Sequence, residues 1–237
     1  MEVILPQSNS GVKKSSPAAG KGGFPLLYLL HGIGDDDTAW LRMSSIERYA
    51  EELGLAIVMP KACRSYYADM VYGYNYWTFL TAELPAAAHE FFPLTLAREK
   101  TFVAGLSMGG YGALKWALQK PEMFAAVASL SGGLNRARFR MDPERCRDYF
   151  LAFGDRDITG TEDDVYWLLK KVDESDDPKP QIYQCCGTED PFYSDNILFR
   201  NLCSNSSFSF KYEEGPGTHN WDYWDKKIKD VLNWLPL

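Results

Sequence analysis

The feature that most constrains this chain is Gly105-Leu106-Ser107-Met108-Gly109. It follows the apolar run Lys100-Thr101-Phe102-Val103-Ala104 and precedes Gly110-Tyr111-Gly112-Ala113-Leu114-Lys115-Trp116-Ala117-Leu118. The run reads as a buried strand, and the next stretch as a helix that stops before Pro121. A serine flanked in this way, between a strand and a helix, sits on a nucleophile elbow. The turn is tight and strained, so it pushes the hydroxyl out of the sheet. Glycine two residues to either side lets neighbouring backbone approach where a side chain would collide. Met108 opens the helix, so its N–H has no partner within it. That N–H can face a developing oxyanion, with the helix dipole behind it. A glycine-rich turn that served only packing would need no acid and no base elsewhere in the chain. Both can be found.

The chain holds only three histidines, so elimination is possible. A serine at its free pKa is a poor nucleophile and needs a base within hydrogen-bond reach. Around such an elbow the order is serine, then acid, then histidine. His31 follows an apolar run and precedes a Gly-containing loop, where it is expected to shape that loop by hydrogen bonds. His89 lies in the helical stretch Ala86-Ala87-Ala88-His89-Glu90-Phe91 and reads as solvated. Only His219, in Gly215-Pro216-Gly217-Thr218-His219-Asn220-Trp221, comes after Ser107.

The acid is expected just past a strand between Ser107 and His219. Asp190 fits, in Cys186-Gly187-Thr188-Glu189-Asp190-Pro191. Its neighbour Glu189 is the first rival, and Asp155 and Asp157 lie in the same interval without a clear strand before them. The acid would fix the imidazole tautomer and stabilise the imidazolium. The second oxyanion donor is expected from the loop after the strand ending at Leu30. In His31-Gly32-Ile33-Gly34 we assign it to the Ile33 N–H, with Gly32 as the rival.

Strands are read at 25–30, 55–60, 100–104, 124–133, 181–187 and 207–212, with a short β-like run over 1–6. Helices are read at about 38–53, 75–92 with Pro85 as a kink, 110–118, 194–204 and 221–234. The polar Ser/Gly/Lys stretch 7–23 reads as a hairpin loop. Strands alternating with helices indicate a doubly wound, mostly parallel sheet. The charged helical segment at about 134–180 reads as a small cap within one domain spanning 1–237, near the carboxyl ends of the strands.

Composition narrows the function classes. At 237 residues the chain is long enough for one domain with a large core. A net charge of −7 disfavours a nucleic-acid partner. No run approaches 18 apolar residues, so no membrane partner is expected. Met1-Glu2-Val3-Ile4-Leu5-Pro6 has neither a basic nor an apolar leader region. Five cysteines, two of them adjacent at Cys185-Cys186, suit a reducing cytoplasm better than a disulfide framework. No spaced Cys/His cluster suggests a metal, and no cofactor is expected.

The segments Leu27-Tyr28-Leu29-Leu30-His31-Gly32, Tyr72-Gly73-Tyr74, Ala104-Gly105-Leu106-Ser107-Met108-Gly109-Gly110-Tyr111-Gly112, Gly187-Thr188-Glu189-Asp190 and Gly217-Thr218-His219-Asn220-Trp221 together resemble the esterase D-like (putative-esterase) family. Within it the chain is most similar to the small bacterial tributyrin and acetyl esterases, from about Pro25 onward. The resemblance implies an α/β-hydrolase fold and a serine-type triad of Ser107, Asp190 and His219, in agreement with the order argued above. It departs from the family in the unusual 8–23 loop, and in lacking a further strand before 2–5.

The expected activity is hydrolysis of short-chain esters, acetyl to butyryl, through an acyl-enzyme, with a small-molecule ester as partner. Acetylated or feruloylated sugars are substrates by resemblance only. Gly32, Trp40, Tyr76 and Trp221 are expected to line the substrate site, although most aromatics of 66–77 would be core packing. Asp69 and Asn75 are candidates to anchor the helix that follows them. No basic cluster is read beside the motifs, which ranks simple esters above a glutathione thioester. The rivals are an S-formylglutathione hydrolase-like thioesterase, an acyltransferase, and a non-catalytic scaffold of the same fold. Self-association into a homo-oligomer is left open.

Overall fold

Among the described residues, seven strands form one sheet in the order β1-β3-β2-β4-β5-β6-β7. They are β1 Glu2–Ile4, β2 Leu26–Leu30, β3 Ala56–Met59, β4 Thr101–Leu106, β5 Ala126–Leu130, β6 Gln181–Gly187 and β7 Phe210–Gly215. The computed structural model describes residues 1–7, 22–142 and 144–237, so most of the predicted 7–23 loop lies outside the described residues. Only β1 runs antiparallel, pairing with β3; every other neighbouring pair is parallel.

Parallel strands are covered on both faces and therefore carry near-continuous apolar residues. Leu26, Tyr28 and Leu30 point into one core, with Val103, Val127 and Ile182. Leu27 and Leu29 point into the other, with Phe102, Ala104, Ala126 and Ala128. On the first face lie α4 Leu84–Phe91, α5 Met108–Gln119, α6 Cys146–Phe153, α7 Val165–Asp173 and α8 Tyr193–Ser204. On the second lie α1 Ala39–Met43, α2 Ile46–Leu53 and α9 Trp221–Trp234. The sheet is thus doubly wound, as the alternation of elements predicted.

Three elements differ from the sequence reading. The helix expected over 38–53 is two helices. Ser44 is extended, and its hydroxyl and N–H both bond the Trp40 carbonyl, while the Ser45 N–H is held by Asp225. The stretch 75–92 is not one kinked helix. A short helix, α3 Tyr76–Thr78, runs into a π-helical turn over Phe79–Glu83 before α4. Pro85 has no N–H and would clash with the carbonyl four residues earlier; a wider turn ahead of it removes that conflict. The last strand starts later than 207, because Asp173 takes the Ser207 N–H and hydroxyl at 2.8 and 2.6 Å. It runs on to Gly215, paired with Gly187. Asp69 does anchor α3, accepting from the Thr78 N–H and hydroxyl, whereas Asn75 makes no side-chain cap.

Candidate active site

β4 delivers Ser107 directly. Its backbone has φ 53° and ψ −113°, a strained conformation for a residue with a side chain. The packing explains the flanking glycines. A methyl group on Gly105 would run into the Gly109 carbonyl, and one on Gly109 into the carbonyls of Leu30 and His31. The Ser107 N–H is tied to Leu130 of β5 at 2.9 Å, and its carbonyl accepts the Gly133 N–H.

Loops after β6 and β7 bring the acid and the base to this turn. His219 Nε2 lies 2.9 Å from Ser107 Oγ, and His219 Nδ1 lies 2.8 Å from Asp190 Oδ2. Asp190 is buried, and its other oxygen accepts the Phe192 N–H at 2.8 Å. The carboxylate thus fixes one ring nitrogen while the other faces the hydroxyl. The expected Ser107, Asp190 and His219 meet in one hydrogen-bonded line. Glu189 does not compete for the imidazole. It accepts the Gly217 N–H at 2.6 Å, and its own N–H donates to the Gly217 carbonyl. That N–H holds the Glu189 carboxyl below its ordinary pKa. Gly187 packs so closely on Gly217 that no side chain fits between them. The acid and base loops are therefore stitched together through their backbones.

The loop after β2 faces the elbow from the other side. A methyl group on Gly32 would sit 3.6 Å from the Ser107 Cβ. Neither the Ile33 N–H nor the Met108 N–H finds a backbone acceptor among the described residues. His31 fixes the loop: Nε2 accepts the Ala62 N–H at 2.9 Å, and Nδ1 lies 2.7 Å from the Gly32 carbonyl. The Tyr67 hydroxyl donates to the His31 carbonyl at 2.9 Å. Accepting the Ala62 N–H requires an unprotonated Nε2, and burial lowers the His31 pKa in the same sense.

Trp221 is linked to the base through a chain of edge-to-face rings. Trp40 meets Trp221 at 5.0 Å, Trp221 meets Trp224 at 5.4 Å, and Trp224 meets the His219 ring at 4.8 Å. Trp40 itself is only 1% exposed and donates to the Leu30 carbonyl. It props Trp221 from behind and offers no face to a ligand, which corrects its expected role. Tyr66 and Tyr67 are core residues, while Tyr72 and Tyr74 are exposed. Tyr76 is half-buried against Cys63, and burial pushes its hydroxyl up to about 12. Sequence reasoning missed Trp224 and Phe192, whose ring stands 5.0 Å from that of His219. Their positions, two residues past the acid and five past the base, were the available signal.

The segment 134–180 holds a 3-10 turn, Ala137–Met141, followed by α6 and α7. It overturns the reading that no basic cluster lies near the motifs. Arg138 and Arg145 both stack on Phe139 and Phe192, at 5.3 to 5.6 Å. Arginines distant from the motifs in sequence meet the ring beside His219 because this turn packs on Phe192.

The chain matches the family described as Putative esterase over residues 4–235. It is 32% identical over 218 residues to an acetyl esterase of Caldicellulosiruptor saccharolyticus, covering 88% of this chain and 82% of that protein. Among solved structures, it is similar to the fluorophosphonate-binding serine hydrolase FphF of Staphylococcus aureus. That match has a TM-score of 0.88 and 37% identity over 99% of this chain and 91% of the other. An S-formylglutathione hydrolase of the same organism, FrmB, matches with a TM-score of 0.84, at the same identity and coverage. The chain belongs to this esterase family, has the α/β-hydrolase fold, and is a serine carboxylic ester hydrolase acting on a small-molecule ester. Among the described residues no helix is long and apolar enough to cross a membrane.

Proposed function

We propose that this enzyme hydrolyses short-chain carboxylic esters, acetyl to butyryl, through an acyl-enzyme at Ser107. The observation that carries the reading is the unbroken line Ser107 Oγ, His219, Asp190, with separations of 2.9 and 2.8 Å. Ser107 attacks the ester carbonyl as His219 takes its proton. The Ile33 and Met108 N–H groups, without a backbone acceptor among the described residues, hold the tetrahedral oxyanion. Asp190 keeps Nε2 free to accept a proton and stabilises the imidazolium. His219 then protonates the leaving alcohol, and afterwards activates the water that releases the acid. Gly32, Tyr76 and Trp221 border the substrate, and 134–180 acts as a cap within a single domain. The buried thiols Cys185, Cys186 and Cys203 favour a reducing, cytoplasmic setting. Similarity to FrmB supports a second reading, hydrolysis of a short-acyl thioester by the same steps.

Hydrolysis of p-nitrophenyl esters of two, four and eight carbons, by the wild type and Ser107→Ala, tests the proposal. Turnover of the two- and four-carbon esters that is lost in the variant is the expected result. Equal or better turnover of the eight-carbon ester would contradict the short-chain assignment. Activity retained in Ser107→Ala would contradict the nucleophile.

A further inference from the structure

The charge of this enzyme is unevenly placed. Across a chain of net charge −7, the stretch 134–147 carries five arginines against two carboxylates. The fold brings two of these arginines to a ring beside the base. Arg138 lies 5.6 Å and Arg145 5.5 Å from the centre of the Phe192 ring, and Phe192 in turn stands against His219. Phe192 is the ring that both guanidinium groups and the imidazole share. Arg136, fully buried, stacks on Tyr66, Tyr111 and Phe139 just behind them. Arg138 and Arg145 remain partly open to solvent, with side chains 39% and 35% exposed.

Their intramolecular partners do not exhaust them. Arg138 meets Asp195 through Nη2 at 3.1 Å. Arg145 meets Asp142 through Nη1 at 3.3 Å and the exposed Glu144 through the same nitrogen at 3.9 Å. A guanidinium has five N–H donors in a planar fork, so each keeps donors for a further anion.

The chemistry decides which part of a substrate meets which side. The carbonyl oxygen must face the Ile33 and Met108 N–H groups. The leaving oxygen must face His219 Nε2, which protonates it. A leaving group that runs on from His219 along Phe192 meets these arginines. We propose that the enzyme prefers esters whose leaving group carries a carboxylate, bound by Arg138 and Arg145. The inference rests on the proposed ester hydrolysis at Ser107 and adds the substrate class.

The test compares kcat/KM for 4-acetoxybenzoate and 4-acetoxybenzamide, which share the acetyl group and differ in leaving-group charge. A second pair, p-nitrophenyl hemisuccinate and p-nitrophenyl butyrate, puts the charge on the acyl side. The wild type is expected to favour the benzoate by about tenfold at low salt, the sum of two modest ion pairs. The double variant Arg138→Gln/Arg145→Gln should bring that ratio close to one, and salt should lower it in the wild type alone. The acyl-side ratio should not follow. Each ratio is internal to one enzyme preparation, so a general loss through poor folding cancels. A benzoate-to-benzamide ratio that is near one in the wild type, or unchanged in the double variant, overturns the inference while leaving the esterase intact. If neither acetyl ester is hydrolysed, the proposed function fails and the inference fails with it.

Discussion

The centre around Ser107 and the segment above it at 134–180 are held in different ways. Backbone geometry fixes the centre. Ser107 is pinned between β4 and β5, Gly109 lies flat on the Leu30 and His31 carbonyls, and Gly187 lies flat on Gly217. Long side chains fix the segment above. Lys115 on α5 reaches Asp163 at 2.6 Å, Arg64 grips Asp148 at 3.0 and 2.6 Å, and Tyr66 stacks on Phe153. The difference teaches that the triad rests on backbone contacts that admit no side chain, whereas the segment above rests on pairs of long side chains that can be altered one at a time.

The sharpest way to break this comparison is at the serine. Ser107→Ala should lower ester turnover by roughly 10⁴–10⁶, with thermal stability retained, because residues of such a line act as a unit. Asp190→Asn keeps the shape but lets the imidazole adopt the wrong tautomer. It should cost about 10⁴ in kcat, read by steady-state kinetics. Gly109→Ala should be felt in the fold itself. The added methyl meets carbonyl oxygens of rigid backbone, so a loss of at least about 2 kcal/mol in urea unfolding is expected.

On the other side of the comparison, Lys115→Met should lower stability by about 3 kcal/mol by stranding Asp163, with kcat changed far less than in Asp190→Asn. Comparable losses in both would show that the two regions are not separable. The smallest effect is the dependence of the base loop on Glu189. Its carboxyl is held low by the Gly217 N–H. A depressed carboxylate contributes above its unfolded pKa and stops contributing as pH falls through the folded value. Glu189→Gln should therefore lower kcat a few-fold at neutral pH, and the difference from wild type should shrink in acid.

The same contrast explains what was legible in the sequence. Glycine spacing, a lone downstream histidine and an acid just past a strand report backbone constraints, and those are local. They located Ser107, His219 and Asp190 and the alternation of elements around them. The 134–180 segment gave only its helical and charged character. Arg138 and Arg145 are 31 and 38 residues from Ser107 in sequence, and nothing local says that both stack on Phe192 beside His219. Trp40 failed as a substrate residue for a related reason: closeness in sequence to the loop after β2 does not say whether a ring faces a ligand or backs another ring. The breaks at Ser44 and before Pro85 depend on Asp225 and on a π turn, neither of which the periodicity carries.

The most direct test of the account is covalent. A fluorophosphonate probe reacts only with a serine that a neighbouring base has activated. Peptide mapping after incubation with the probe should find the adduct on Ser107 in the wild type, and labelling should be lost in His219→Ala while the fold persists. Labelling of another residue, or labelling of Ser107 at the same rate without His219, would contradict the claim that this hydrogen-bonded line is what makes the chain an esterase.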